Sequence, residues 1–373
     1  MTHRPTLIAL LAVAVLALAG AQAASAHGGS GRGRLVFVQT NELTGNQIAV
    51  YRRGADGQLA RIGIYPTGGL GGAAAPGTES DHLASQGSLA FVPRHGQLIA
   101  VNAGSNTVSA FRLRGDTLEL ENVVPSGGQF PASVGVRGSL VYVLNSGGAG
   151  SVNGFRLGPD GLAPIPGSAR SLGLANATPP NFLTSPGQVG FTPDGKQLLV
   201  TTKASTSSID VFRVGNDGLL SATPVVNPSA TPVPFAFTFA GNLLVSGEAG
   251  ASSVTTYRIS GAGSLGDAKS ASDGQGALCW IERVGDVFFV SNTATNNLSS
   301  FRLGPGGQPV LLSAVAAATN PGPIDLASSG RFLYAETGVN GTVDEFGVGP
   351  TGTLTPIGSV DDLPSGIEGI AAT

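Results

Sequence analysis

The sequence predicts an all-β protein, a seven-bladed β-propeller with four antiparallel strands in each blade. The main observation is a repeat of about 45 residues, marked by an aromatic residue that closes a short β-like run. The marking residues are Tyr51, Phe111, Phe155, Phe212, Tyr257, Phe301 and Phe346. Arginine follows all but the last of them. A repeat of roughly 40–50 residues that contains several short strands is typical of a propeller blade.

The repeat around Phe212 shows how one blade is built. We predict its strands at residues 187–192, 197–202, 209–214 and 219–225. The turns at 193–195 and 216–218 both end in Asp-Gly, a pair that tolerates the positive φ of tight hairpins. The four strands are therefore expected to form an antiparallel meander.

The two ends of the repeat region complement each other. The first repeat begins directly with its second strand, at residues 34–40, and lacks a first strand. The segment 366–372 follows the last fourth strand and has the pattern of a first strand. We predict that it completes the first blade, which closes the ring and removes an open sheet edge. Residues 34–373 would then form a single domain.

The first 26 residues have the pattern of a secretory signal peptide. The basic residues His3 and Arg4 precede an uncharged apolar run at 7–19, and Ala24-Ser25-Ala26 has the small-residue pattern of a cleavage site. The run is shorter than the roughly 20 residues that span a bilayer. We expect cleavage after Ala26, or alternatively after Ala23, a flexible leader at 27–33, and a secreted or extracytoplasmic protein with no membrane attachment.

Composition narrows the range of partners. The net charge of -3 gives no electrostatic attraction for nucleic acid, and we expect no nucleic-acid partner. The 57 glycines and 24 prolines predict many turns. Cys279 is the one cysteine, which excludes an intrachain disulfide, and its apolar surroundings predict a buried, inert thiol. We expect a monomer.

Two insertions lengthen the regular repeat. They lie at 66–86 and 166–185, are rich in Gly, Ala and Pro, and fall between the fourth strand of one blade and the first strand of the next. Connections of this kind share a face with the loops between second and third strands, so both insertions should overhang one mouth of the central channel. Long loops on a regular scaffold are often functional.

The fourth repeat resembles the seven-bladed lactonase family, typified by propeller-type 6-phosphogluconolactonase and related to carboxymuconate-lactonizing enzymes. The similar stretches are 193–195, 198–200, 211–214 and 217–218. The resemblance covers the whole expected mature chain, 27–373, and implies hydrolysis of a small lactone or cyclic ester. At three polar positions of the family, the chain keeps Glu248, has no histidine at 184–188, and has Thr293 after Asn292 where the family has arginine.

The ends of the second strands supply the candidate site. Polar residues at or next to these ends are Glu42, Asn102, Asn145, Lys203, Glu248, Asn292 and Glu336. We predict that they ring one mouth of the channel, with Glu248 as general base and Lys203, a further catalytic residue, or alternatively Asn292 orienting the carbonyl. The others would bind substrate. His82, in the first insertion, is a third catalytic candidate. An ion pair between Lys203 and Glu248 is the structural alternative.

Carboxylates are also predicted inside the channel. Asp325 and Glu368 lie at the centre of first strands, where the other blades have small residues. Such carboxylates need hydrogen bonds or, alternatively, a divalent cation such as Ca²⁺ or Mg²⁺. No other cofactor is expected. The sequence thus predicts a lactonase-like propeller acting on a small-molecule or carbohydrate ligand, or alternatively a non-catalytic extracellular propeller that binds a glycan or a protein.

Overall fold

The computed structural model of the protein describes Met1 and residues 34–75 and 79–373. The predicted leader, and the signal peptide apart from Met1, lie outside these residues. Seven sheets are present, and the helical structure of the described residues is one 3₁₀ turn, Pro305–Gly307. Within the described ranges, no helix is long and apolar enough to cross a membrane. The predicted seven-bladed, all-β fold is confirmed.

Each blade is an antiparallel meander that begins with its innermost strand. Blade 1 contains β29 (Ile370–Ala372), β1 (Leu35–Gln39), β2 (Gln47–Arg53) and β3 (Leu59–Pro66). Blade 2 contains β4 (Leu89–Val92), β5 (Gln97–Asn102), β6 (Thr107–Arg114) and β7 (Thr117–Pro125). Blade 3 contains β8 (Pro131–Arg137), β9 (Leu140–Asn145), β10 (Ser151–Gly158), β11 (Gly161–Pro164) and the short β12 (Arg170–Ser171).

The remaining four blades follow the same order. Blade 4 contains β13 (Gln188–Phe191), β14 (Gln197–Thr201), β15 (Ser208–Arg213) and β16 (Val225–Pro228). Blade 5 contains β17 (Pro234–Ala240), β18 (Leu243–Glu248), β19 (Ser253–Ile259) and β20 (Leu265–Ser272). Blade 6 contains β21 (Leu278–Val284), β22 (Val287–Asn292), β23 (Asn297–Leu303) and β24 (Pro309–Ala318). Blade 7 contains β25 (Pro323–Ser329), β26 (Phe332–Thr337), β27 (Thr342–Val348) and β28 (Leu354–Val360).

The C-terminal segment closes the ring, as the sequence predicts. Strand β29 pairs with β1 in the register Val36↔Ala372, Phe37↔Ala371 and Val38↔Ile370. The preceding backbone extends the contact, because Gln39 N–H donates to the Gly369 carbonyl at 2.8 Å. Blade 1 is therefore assembled from both ends of the domain.

One strand of blade 4 differs from the prediction. The fourth strand is β16, at Val225–Pro228, rather than 219–225. Leu220 makes only an isolated bridge to Val214. The Ser221 hydroxyl then accepts from Arg213 N–H at 3.2 Å and donates to the Thr223 carbonyl at 2.9 Å. This local side-chain turn competes with the strand ladder, so the chain rejoins the sheet only after it.

The hydrophobic core lies in the gaps between neighbouring blades. All seven marker aromatics of the repeat are buried there, with exposures of 2% or less. Between blades 1 and 2, for example, the rings of Phe37 and Phe91 stack with centroids 5.6 Å apart. Burying a side chain of this size contributes about 1.5–3 kcal/mol. The repeated aromatic thus holds each blade against its neighbour.

Candidate functional site

The two insertions contact each other directly. Ala75 of the first insertion forms a parallel bridge with Asn181 of the second. Ala75 N–H donates to the Pro180 carbonyl at 2.8 Å, and Phe182 N–H donates back to the Ala75 carbonyl at 3.2 Å. The two loops that the sequence singles out therefore lie side by side.

The first insertion runs into a segment, residues 82–87, that is held among the inner strands, and we call this segment the plug. Glu368 of blade 1 accepts hydrogen bonds from the backbone N–H groups of Leu83 and Ser85. The Ser85 hydroxyl donates to the Ala132 carbonyl of blade 3 at 2.8 Å. The Ser85 carbonyl accepts from Trp280 Nε1 of blade 6 at 2.9 Å. The plug is therefore bonded to inner strands on several sides of the ring.

Two further contacts complete the attachment of the plug. Gln86 and Ile281 of blade 6 exchange two hydrogen bonds, of 3.1 and 3.0 Å, between the Gln86 amide and the Ile281 backbone. Gly87 N–H donates to Asp325 of blade 7 at 3.4 Å. Most of the plug's neighbours are fully buried, so these bonds satisfy backbone groups that have no access to water.

Beside the plug lies a cavity of about 240 Å³, bounded by blades 4, 5 and 6 and covered by the insertions. Its described lining is Ser80, Asp81, Phe182, Leu183, Lys203, Val233, Phe235, Ala249, Gly250, Ala277, Cys279 and Thr293. The walls are mainly apolar, and the two charged groups are Asp81 and Lys203. A small apolar pocket with a few convergent polar groups is the usual form of a ligand site.

Lys203 is the member of the predicted ring that reaches this cavity. It follows β14 with a left-handed φ of 48°, which costs a non-glycine residue about 1 kcal/mol. Its Nζ donates to the Ala84 carbonyl of the plug at 2.6 Å and to the Phe182 carbonyl of the second insertion at 2.5 Å. The same Nζ lies 4.9 Å from the centre of the Phe235 ring. Lys203 therefore ties both insertions to blade 4.

Asp81 is the second charged group of the cavity, and its charge interacts with that of Lys203. Burial raises the pKa of Asp81 to about 6, although the positive charge of Lys203 and a hydrogen bond with Glu368 favour its ionised form. Burial likewise lowers the pKa of Lys203 to about 8, against the attraction of Asp81. The cavity thus holds an acid and a base that both titrate close to neutral pH.

Cys279 also lines the cavity, as a neutral thiol. It lies on β21 and is 8% exposed. Burial and the nearby charge of Asp81 raise its pKa well above the ordinary value. A thiol with a raised pKa is a poor nucleophile at neutral pH, in agreement with the inert cysteine that the sequence predicts.

The other polar residues at the second-strand ends are turned into the blades. Asn102 donates to the Ser109 hydroxyl at 2.8 Å, and Asn292 donates to the Ser299 hydroxyl at 2.7 Å. Both are fully buried. In each case the partner lies seven residues later, on the third strand of the same blade. This repeated contact fastens the blade's top edge, so the structure brings neither side chain to the cavity.

Glu248 occupies the equivalent position in blade 5, and its side chain also bonds to the residue seven positions later. Its carboxylate is fully buried and accepts from Thr255, again seven residues later, at 2.7 Å. The hydroxyls of Ser229, Thr231 and Tyr257 also donate to it. Four hydroxyl donors occupy both carboxylate oxygens, and the expected ion pair with Lys203 is absent from the described contacts. Glu248 and Lys203 do not share a pocket.

The remaining candidates are also placed outside the cavity. Asn145 donates to Asn153 of its own blade at 3.1 Å. Glu42 is half-buried in the loop after β1, and its carbonyl accepts from Gly71 of the first insertion at 2.8 Å. His82 begins the plug and lies directly against Gly366. Burial lowers the pKa of His82, which keeps its imidazole neutral at pH 7.

Glu336, on β26, lies between the two predicted channel carboxylates in electrostatic terms, because its charge interacts with those of both Asp325 and Glu368. Glu336 accepts from Gly369 N–H at 2.9 Å, and its charge acts on Glu368. Burial raises the pKa of Asp325 to about 7 and holds those of Glu336 and Glu368 well above their ordinary values. Among the described residues, no group of three or more acidic, His or Cys side chains could hold a metal ion.

Sequence reasoning missed Asp81, Phe182 and Phe235 as members of the site. Asp81 is adjacent to the selected His82, and it is one of few charged residues in an insertion dominated by Gly and Ala. That isolation was the available signal. Phe182 and Phe235 have no such signal in the sequence, because their place in the cavity depends on how the second insertion folds over blade 5.

No protein-family model and no curated protein sequence matches the chain. Solved structures do match over nearly the full length. A periplasmic gluconolactonase of Pseudomonas aeruginosa shares 22% identity with a TM-score of 0.69, covering 90% of this chain and 98% of that one. A candidate 6-phosphogluconolactonase of Bacteroides fragilis shares 19% identity with a TM-score of 0.68, covering 91% and 98%. At these identities the likeness shows the fold.

Proposed function

We propose that the protein hydrolyses a small lactone or cyclic ester in the cavity between the two insertions and blades 4 to 6. The observation that carries this proposal is the meeting of Asp81 and Lys203 in an otherwise apolar cavity. A carboxylate can take a proton from the attacking water, and an ammonium can donate a hydrogen bond to the carbonyl oxygen, so the pair can assist ester hydrolysis.

In the proposed reaction, Asp81 acts as general base. Its carboxylate takes a proton from a water molecule, whose oxygen attacks the lactone carbonyl carbon. Two of the three N–H groups of Lys203 are engaged by the carbonyls of Ala84 and Phe182, and in the proposal the third donates to the carbonyl oxygen. The ring C–O bond then breaks, and the leaving alkoxide takes the proton from Asp81. The product is the open hydroxy acid.

The likeness to a periplasmic gluconolactonase and to a candidate 6-phosphogluconolactonase supports the choice of substrate, since both share the whole propeller. The site differs from the one expected from the family resemblance, because Glu248 is engaged by four hydroxyls inside blade 5. We therefore propose Asp81, rather than Glu248, as the general base, and Lys203 as the residue that orients the carbonyl.

The test is turnover of a panel of lactones by the wild type and by Asp81→Asn and Lys203→Met. Each variant should lower kcat/KM by about 100-fold or more, because each removes a group that acts on the transition state. Asp286→Asn and Lys196→Met are matched controls, since these side chains are 72% and 82% exposed and do not belong to the described lining. Activity within threefold of wild type in both cavity variants would refute the proposal.

The pH profile gives a second reading of the same proposal. Asp81 must be ionised, so activity should fall as the pH drops through about 6. Lys203 must be protonated, so activity should fall again as the pH rises through about 8. In Asp81→Asn the acidic limb should disappear from any residual activity. An unchanged acidic limb would contradict the assignment of Asp81 as base.

A non-catalytic propeller that binds a glycan or a protein is the second candidate. It is favoured by the absence of a histidine at 184–188 and by Thr293, whose hydroxyl donates to the Pro323 carbonyl at 2.9 Å. If the wild type turns over no lactone in the panel, this candidate replaces the first. For either function we propose that the protein acts outside the cytoplasm, because residues 1–26 have the pattern of a secretory signal peptide. We also propose that it acts as a monomer.

A further inference from the structure

We infer that the cavity selects lactones with an apolar substituent, such as an alkyl chain, over polyhydroxylated sugar lactones. The inference rests on the proposed function for the chemistry, and on the lining of the cavity for the selectivity. It names the substrate class of the same site.

Apart from its two charged groups, the described lining of the cavity is mainly apolar. Asp81 and Lys203 come from the first insertion and blade 4, whereas the apolar lining comes from the second insertion and blades 5 and 6, chiefly Phe182, Leu183, Val233, Phe235, Ala277 and Cys279. A lactone bound here would place its ester group at Asp81 and Lys203. Its substituents would then lie mainly against apolar side chains.

Sugar hydroxyls would find few partners here, because the described lining has only two side-chain hydroxyls, those of Ser80 and Thr293. Thr293 already donates its hydroxyl proton to the Pro323 carbonyl. Lys203 uses two donors on backbone carbonyls, and its third is assigned to the ester. Each hydroxyl that leaves water without a new partner weakens binding. An alkyl substituent instead strengthens binding, by about fourfold in affinity for each methylene group that it buries.

The size of the cavity fits a ring with a short chain. A cavity of about 150 Å³ holds a benzene molecule. The volume of about 240 Å³ found here leaves room for several further carbon atoms beyond a six-membered ring. It is below the range of roughly 300–1,000 Å³ that is common for drug-sized ligands.

Leu183 marks the entrance. It lines the cavity and yet is 47% exposed, whereas most large apolar side chains of the domain are buried. Its backbone N–H donates to the Asn181 side chain at 2.9 Å, which fixes the turn that presents it. The adjacent Phe182 carbonyl is bonded to Lys203. The catalytic lysine therefore holds the segment that supplies the apolar rim.

Trp280 provides a direct reporter of binding. It is the one tryptophan of the sequence, and its ring centroid lies 4.7 Å from that of Phe235, which lines the cavity. A ligand against Phe235 should alter the emission of Trp280. Binding can then be measured separately from turnover.

The experiment compares δ-octanolactone with glucono-δ-lactone, two six-membered lactones that differ in their substituents. Trp280 fluorescence gives the affinity, and proton release, corrected for the uncatalysed rate, gives kcat and KM. We expect δ-octanolactone to bind at least tenfold more tightly. Leu183→Gln should weaken its binding by about tenfold and leave kcat within threefold. Leu43→Gln, at a residue 54% exposed outside the lining, is the matched control and should change neither value.

The outcomes separate this inference from the proposed function. If δ-octanolactone binds tightly and is not hydrolysed, the hydrolase proposal fails and the selectivity stands. If glucono-δ-lactone binds as tightly or more tightly and is hydrolysed, the hydrolase proposal stands and the selectivity fails. If neither lactone changes Trp280 emission nor is turned over, both are overturned.

Discussion

Replacing Glu248 with glutamine separates a structural carboxylate from a catalytic one. The side chain is fully buried, and it accepts two hydroxyl hydrogen bonds on each oxygen. Glutamine keeps the shape and replaces one oxygen with an NH₂ group. Two of the four hydroxyls would then face a donor where they now find an acceptor.

The cost follows from these bonds. A hydrogen bond to a charged group contributes about 1.5–3 kcal/mol, and two such bonds are lost or reversed. The hydroxyls of Ser229 and Tyr257, or of Thr231 and Thr255, can rotate to accept, which returns part of the loss. We therefore expect a destabilisation of about 3 kcal/mol. At about 2.1 cal/mol/K of unfolding entropy per residue, this lowers the Tm of a domain of this size by about 4 °C.

The assay is thermal melting together with lactone turnover at 25 °C, where the variant stays folded. We expect the Tm to fall and kcat/KM to remain within threefold of wild type. Thr255→Val removes one of the four donors and should shift the Tm in the same direction by a smaller amount. A loss of activity of 100-fold with an unchanged Tm would refute this reasoning and return Glu248 to the catalytic site.

Two further predictions concern the closure of the ring and the channel. Deleting residues 366–373 removes β29 and the buried side chains of Ile367 and Ile370, each of which contributes about 1.5–3 kcal/mol to stability. The Tm should therefore fall by at least 5 °C. A shift within about 1 °C would contradict the role of ring closure. Burial raises the pKa of Asp325 and of Glu282 to about 7, so the native state keeps protons that the unfolded chain releases above pH 4–5, and stability measured by denaturant should fall between pH 5 and 7. Asp325→Asn should flatten that slope by about 1 kcal/mol per pH unit, and an equally steep slope in the variant would count against the assignment.

The sequence was sufficient for the fold because the blade is a local unit that repeats. The marker aromatics fix the register of the third strands, and the Asp-Gly turns fix the hairpins around them. Gly195, for instance, takes a φ of 73°, with the preceding Asp194 accepting from Thr192 at 2.7 Å. The outermost strand is less well determined, because it has a sheet partner on one side only. The shift of β16 to Val225–Pro228 is an example.

The candidate site was less predictable, because the direction in which a side chain points at the end of a strand depends on tertiary contacts. Counting back from each aromatic finds Asn102, Glu248 and Asn292 correctly at the ends of β5, β18 and β22. Whether these side chains face the channel or the blade depends on their partners on the third strand. The partners Ser109, Thr255 and Ser299 recur seven residues later, which is a local pattern that the sequence does contain. Reading that pattern assigns the three residues to the scaffold.

The plug lies next to the candidate site. Glu368 and Asp325 provide acceptors for its backbone N–H groups. Lys203, which lines the cavity, donates to the Ala84 carbonyl of the plug. The cavity itself is lined by Phe182 and Leu183 of the second insertion, by Asp81 next to the plug, and by residues of blades 4 to 6. Lys203 bonds to both insertions at this point, so the residue that would polarise the substrate also holds its pocket together.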